Sequence, residues 1–146
     1  MRPVALLCGI GFSFGLATAS HAQAAPPNLI GQWTVDTRSI LIGKTPQWPG
    51  GVAGQHAWLG HLKTTLIIQH ETADLFWGQF IMGPGDNKQE ILGVFTGEGT
   101  RFLISLKHGT GEGYVVSPTK IRWCYTQSES KEIPAQVAGC NDATRD

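Results

Sequence analysis

The chain has 146 residues, and its 11 lysines and arginines balance 11 aspartates and glutamates. A chain without net charge has no electrostatic basis for binding nucleic acid or an anionic membrane surface, so neither partner is expected. The length fits one domain behind a leader, and the 19 glycines suit short strands joined by tight turns.

The N-terminus has the pattern of an export signal. Arg2 precedes an almost wholly apolar run over residues 4–17, and Ala22-Gln23-Ala24 satisfies the small-x-small rule for cleavage. Because the apolar run is too short for a membrane span, no membrane insertion is expected. We predict a signal peptide over residues 1–24, with cleavage after Ala22 as the alternative. One β-barrel domain over residues 25–146 would then lie in the periplasm or outside the cell.

Removal of this segment leaves two cysteines, Cys124 and Cys140. In an oxidising compartment, two cysteines in a small domain most simply form one structural disulfide. A pair of metal-binding or redox thiols is the alternative. Neither cysteine lies in a CxxC motif, however, and no histidine is close to them in sequence. We therefore predict a disulfide between Cys124 and Cys140.

The remaining chain opens with a predicted strand over residues 29–35. Residues 39–42 either extend this strand or begin the next one. Residues 43–60 are rich in glycine and proline and include Trp48 and Trp58, which indicates a long loop. Such a loop is either a binding loop or a cover over one open end of a barrel.

The centre of the chain alternates apolar and polar residues in runs of strand length, interrupted by glycine, proline, asparagine and aspartate. This pattern predicts a meander of four strands over residues 62–70, 75–82, 91–95 and 102–106. In the first strand, the face expected to lie inside carries Leu62, Thr64, Leu66, Ile68 and His70. In the second strand both faces are largely apolar, and Trp77 and Gln79 share one of them.

The C-terminal part is predicted to contain further short strands. Residues 109–113 are expected to form a flexible turn before a strand over residues 114–116. Residues 120–126 alternate sharply and place Trp123 and Tyr125 on one face, and a last strand covers residues 136–140. The predicted fold class is all-β, a single antiparallel up-and-down barrel of about eight strands, because closure removes exposed sheet edges.

The opening Leu29-Ile-Gly-Gln-Trp-Thr resembles the first strand of the calycins, the superfamily of lipocalins and avidins. In those barrels a Gly-x-Trp opens the first strand and the tryptophan packs across the closed end. The order of later features resembles a group of small secreted bacterial proteins, with Phe76-Trp-Gly-Gln-Phe80, then Gly93-Val-Phe, then Cys-Tyr and a second Cys. The resemblance implies a calycin-like barrel over most of residues 29–145, and it does not imply biotin binding.

No motif indicates catalysis, so the protein is not expected to be an enzyme. His70-Glu71 begins like the HExxH zinc motif, but Asp74 replaces the second histidine and the segment is not helical. The Gly-x-Ser-x-Gly match at residues 11–15 lies in the predicted signal peptide. No metal or other cofactor is predicted. A cluster of His70 or His108 with a carboxylate in a cleft would instead favour an enzyme.

The residues that can carry a function are aromatic side chains with a few polar neighbours, which is how small barrels line a cavity. The first hypothesis is an exported barrel that binds a small apolar or amphipathic ligand through Trp33, Trp77, Gln79, Trp123 and Tyr125. An interior filled by the barrel's own side chains is the alternative to a cavity. The second hypothesis is a protein-interaction or inhibitor barrel of the cell envelope that uses residues 43–60.

Overall fold

A computed structural model describes residues 27–43, 56–82, 87–97 and 99–145. The predicted signal peptide and Trp48 lie outside the described residues. No helix in the described ranges is long and apolar enough to cross a membrane.

The described chain forms eight strands. They are β1 (Gly31–Gly43), β2 (Trp58–Thr72), β3 (Leu75–Ile81), β4 (Lys88–Thr96), β5 (Arg101–Leu106), β6 (Gly109–Ser117), β7 (Lys120–Gln127) and β8 (Ala135–Thr144). Each strand pairs antiparallel with the next, and β8 pairs with β1 to close the barrel. The predicted all-β, up-and-down barrel of eight strands is confirmed.

The first two strands are longer than predicted. Residues 39–42 extend β1, which pairs with β2 from Gly31 to Leu41. The strand β2 already begins at Trp58, so this tryptophan belongs to the sheet and not to a loop. Its half-buried ring packs against Leu41 and Val137, and its indole N–H donates to the carbonyl oxygen of Gly43 at 3.5 Å.

A register shift between Ile68 and His70 changes which side chains of β2 face the interior. Thr64, Leu66 and Ile68 are buried as expected, but His70 is exposed on the outside. A bulge adds one residue to one strand of a pair and so reverses the facing of the residues that follow. The inward face predicted from the alternation therefore ends at Ile68 and does not extend to His70.

The glycines at 109, 111 and 113 lie within β6, where the sequence predicted a flexible turn. The actual turn is at Lys107 and His108. A Cβ atom at any of the three glycines would collide with a carbonyl oxygen of β7. Their spacing of two residues is therefore a strand pattern, and it lets β6 approach β7 closely.

We expect Gly111→Ala to lower the free energy of unfolding by about 1–3 kcal/mol, the usual cost of overpacking a filled site. The added methyl group would meet the carbonyl oxygen of Cys124, which is backbone and cannot rotate away. Chemical denaturation measures the change. Thr110→Ala, on the exposed face of the same strand, is the matched control and should cost about 0.5 kcal/mol or less. Equal effects of the two substitutions would contradict the close approach.

Cys124 and Cys140 are directly opposite each other on β7 and β8. They form a disulfide, as the sequence predicted. Next to it, Asp142 accepts hydrogen bonds from Arg122 at 2.6 Å and from Arg38 of β1 at 3.1 Å. The hydrogen bond from Arg122 is the main reason why the pKa of Asp142 is lowered. The disulfide and these ion pairs lie beside the β1–β8 contact that closes the barrel.

Candidate ligand-binding site

The two ends of the barrel differ in how they are filled. At the closed end, where β1 begins, Trp33 is 0% exposed and its indole N–H donates to the carbonyl oxygen of Leu29 at 2.9 Å. The guanidinium of Arg145 lies 4.6 Å from the centroid of the Trp33 ring. The carboxylate of Glu71 accepts a hydrogen bond from the backbone N–H of Leu29 at 2.7 Å. These contacts plug the closed end.

Aromatic rings fill the interior next to this plug. Phe76, Phe95 and Phe102 contact one another with ring centroids 5.4–6.2 Å apart and tilted or edge-to-face planes. All three belong to one apolar cluster with Trp33. Edge-to-face packing is favourable and leaves little free volume, so this half of the barrel is a solid core.

The other half of the barrel contains a cavity of about 40 Å³. It lies toward the open end, where β1 finishes at Gly43 and β8 begins at Ala135. One side, called here the polar wall, consists of Thr37 and Ser39 of β1 and Asn141 of β8. These side chains are buried, and Asn141 is only 4% exposed.

The hydrogen bonds of the polar wall are incomplete. Thr37 Oγ1 donates to Asn141 Oδ1 at 2.7 Å, and Thr37 Oγ1 lies 3.5 Å from Thr64 Oγ1. Among the described residues, neither Asn141 Nδ2 nor the hydroxyl of Ser39 has a hydrogen-bond partner. A buried polar group without a partner costs about 1–3 kcal/mol, so both groups favour a partner in the cavity.

The apolar part of the lining, called here the apolar wall, is formed by Phe80, Met82, Leu106, Trp123 and Tyr125. Phe80 and Trp123 meet edge-to-face with centroids 5.8 Å apart. Burial raises the pKa of Tyr125 to about 12, so its phenol is neutral at physiological pH. That phenol donates to Gln127 Oε1 at 3.4 Å near the open end. The cavity therefore has one hydrogen-bonding side and one aromatic side.

Of the five predicted ligand-binding residues, Trp123 and Tyr125 line this cavity. Trp33 is inside the barrel but belongs to the plug at the closed end. Trp77 and Gln79 are on the outer face, because Phe76, Gly78 and Phe80 take the inward positions of β3. The expectation that Trp77 and Gln79 line the interior is wrong. Trp77 is 39% exposed and stacks on His70 with ring centroids 4.7 Å apart.

The sequence analysis did not identify Thr37, Ser39 or Asn141. Thr37 and Ser39 continue the alternation that begins at Trp33 and Val35, so their inward facing could have been inferred from period two. Asn141 lies 104 residues from Thr37 in sequence, and only the pairing of β1 with β8 brings them together.

The chain matches no protein-family model and no curated protein sequence. Among solved structures, it is similar to a redesigned β-barrel, b11L5F_LGL, with 11% identity, a TM-score of 0.47 and coverage of 81% of this chain and 91% of that one. It is also similar to S-type phycobiliprotein lyase CPES from Guillardia theta, with 10% identity, a TM-score of 0.37 and coverage of 81% and 88%. At these values neither likeness assigns a function to this chain.

The residues considered for catalysis or metal binding do not converge on the cavity. His70 is outside the barrel against Trp77, and His108 lies in the β5–β6 turn. Within the described ranges, no three histidine, cysteine or acidic side chains are grouped so that they could hold a metal ion. The described part of the cavity lining contains no carboxylate and no imidazole.

The outer face of β3, β4 and β5 carries an exposed apolar surface. Its exposed members are Leu75, Trp77, Leu92 and Leu103, and the half-buried Val94 lies among them. Leu75, Val94 and Leu103 are consecutive cross-strand partners, so the surface is continuous. It is a second place where an apolar molecule could adhere, and any binding experiment on the cavity must distinguish the two.

Proposed function

We propose that this protein is an exported, calycin-type barrel that binds a small amphipathic molecule in the cavity at its open end. The observation that carries the proposal is that one cavity combines a buried polar wall, whose hydrogen bonds are incomplete, with the apolar wall. Small-molecule sites are typically apolar pockets with a few placed polar groups. A ligand with one polar group and an apolar body would satisfy both walls.

The size of the cavity limits how such a ligand enters. A cavity of about 40 Å³ is well below the roughly 150 Å³ that accommodates a benzene ring. Binding therefore requires side chains at the open end to move. Met82 and Gln127 line this end and are only half-buried. Methionine is unbranched and adapts readily to a new neighbour, so it is suited to this movement.

The proposal is for binding without catalysis. The described lining residues support it, because none of them is a carboxylate or a histidine, and general acid–base chemistry at neutral pH depends on a titratable group within reach of the substrate. Export is proposed on two grounds, the apolar N-terminal run with its cleavage pattern and the Cys124–Cys140 disulfide. Disulfides persist chiefly in oxidising compartments. The intact mass of the protein purified from its natural host tests export, because cleavage near Ala25 would remove the leader.

We expect Val137→Phe to weaken binding of the neutral fluorophore N-phenylnaphthylamine at least tenfold, because the added ring would fill the small cavity. Val137 lines the cavity, whereas the next residue, Ala138, is exposed on the outer face. Ala138→Phe is therefore a matched control and should bind like the natural protein. The rise in fluorophore emission on titration gives the affinity, and far-UV circular dichroism verifies that both variants fold.

Leu106→Phe fills the same cavity from β5 and provides a second variant if Val137→Phe does not fold. Undiminished binding by folded, cavity-filled variants would disprove the interior site. If Leu92→Ser abolished that binding instead, the fluorophore would occupy the outer apolar surface. Failure of the natural protein to bind any neutral amphiphile would disprove the proposal as well.

A further inference from the structure

We infer that the group received at the floor of the cavity is an uncharged hydrogen-bond acceptor, such as the carbonyl of a ketone, ester or amide, held by Asn141 and Ser39. The inference rests on the proposed function and specifies the chemical class of its ligand. It follows from the direction of the hydrogen bonds in the polar wall, from the uncharged side chains of the described lining residues and from the depth of Asn141.

The hydrogen bonds of the polar wall leave donors available. Asn141 Oδ1 already accepts the hydroxyl of Thr37 at 2.7 Å. The amide N–H groups of Asn141 have no acceptor among the described residues. A side-chain amide supplies two donors, and a serine hydroxyl can supply one more. The polar wall can therefore donate one hydrogen bond from the amide of Asn141 and one from the hydroxyl of Ser39 to one oxygen atom of a ligand.

Among the residues that the structure describes, the lining provides no group that would neutralise a charged ligand. Its polar members are hydroxyl and amide side chains, together with the neutral phenol of Tyr125. Arg38 and Arg122, on two of the same strands, both pair with Asp142 on the outer face. Moving an ion from water into such a site costs far more than moving a neutral polar group. A neutral ligand is therefore favoured over a carboxylate or an ammonium group.

The positions of the polar side chains along the strands set the orientation of the ligand. Asn141 lies deeper in the barrel than Val137, since β8 runs from the open end at Ala135 toward the closed end at Thr144. Trp123 is likewise deeper than Tyr125 and Gln127 on β7, which ends at the open end. The acceptor group would thus lie at the floor and the apolar part would extend toward Met82.

The test uses three amphiphiles with chains of equal length that differ in the polar group. They are methyl heptyl ketone, nonanoate and nonylammonium, each competing with N-phenylnaphthylamine for the natural, folded protein at neutral pH. We expect the ketone to bind at least tenfold more tightly than either ion. Asn141→Leu, which keeps the approximate shape and removes the donors, should lower the affinity for the ketone about tenfold more than the affinity for the fluorophore, which has no carbonyl oxygen to accept from Asn141.

Ser39→Ala is a milder variant that keeps the test decisive if Asn141→Leu does not fold, and it should also weaken the ketone selectively. Fluorophore binding inside the barrel together with equal or tighter binding of either ion would overturn the inference and leave the proposed function intact. Unchanged ketone affinity in folded Asn141→Leu and Ser39→Ala would overturn it too. If the natural protein bound none of these molecules inside the barrel, the proposed function would be disproved instead.

Discussion

Replacing Trp33 by alanine is expected to lower the free energy of unfolding by about 3–5 kcal/mol, the usual cost of truncating a buried aromatic ring. Trp33 is fully buried, and its removal would leave a void at the closed end. It would also remove the ring under the Arg145 guanidinium and leave the carbonyl oxygen of Leu29 without its indole donor. Urea denaturation followed by circular dichroism measures the loss.

Trp77→Ala is the matched control for this experiment, because it removes the same ring from the outside of the barrel. Trp77 is 39% exposed and contacts His70, so its loss should cost about 1 kcal/mol. The comparison also tests which of the two tryptophans belongs to the core. If Trp77→Ala were as damaging as Trp33→Ala, the outward placement of β3's tryptophan would be wrong.

The barrel itself was predictable because its strands alternate cleanly at several points. On β5, Phe102, Ile104 and Leu106 are buried and their neighbours are exposed, as period two requires. A chain that consists only of such strands has to satisfy its sheet edges, and closure achieves this. Local pattern and global constraint therefore lead to the same fold.

The facing of β3 could not be predicted, because both of its faces are apolar. Phe76 and Phe80 alternate with Leu75 and Trp77, and hydrophobicity alone does not separate the two sets. Pairing with the neighbouring strand decides between them. Gly78 takes an inward position where a Cβ atom would collide with the carbonyl oxygen of Ile67, so only glycine fits there. The partner strand's position at this point is not encoded in β3 itself.

The candidate site was hidden for a different reason. Threonine, serine and asparagine are common on exposed strand faces, so Thr37, Ser39 and Asn141 do not by themselves indicate a buried site. Their significance lies in the register of β1 with β8, which places Thr37 opposite Asn141. The pairing of β1 with β8 brings together two strands that are far apart in sequence. The local sequence of either strand does not determine such a pairing.

Loss of the Cys124–Cys140 disulfide is expected to lower the free energy of unfolding by about 3 kcal/mol, the chain-entropy value for a loop of about 15 residues. The two cysteines are separated by 16 positions in sequence and join β7 to the strand that closes the barrel. The link restricts the unfolded chain, which would otherwise separate these strands. Denaturation of Cys124→Ser/Cys140→Ser, compared with the oxidised natural protein, measures the difference.

Reduction of the natural protein provides the control for this prediction, because it breaks the same bond without substituting either cysteine. The reduced protein and the double variant should unfold at similar denaturant concentrations. Binding of N-phenylnaphthylamine should remain, since Cys124 is exposed on the outer face and neither cysteine lines the cavity. Unchanged stability after reduction would contradict the entropic role of the disulfide. If binding were lost while the protein remained folded, the disulfide would also position Asn141 of β8 relative to Thr37 of β1.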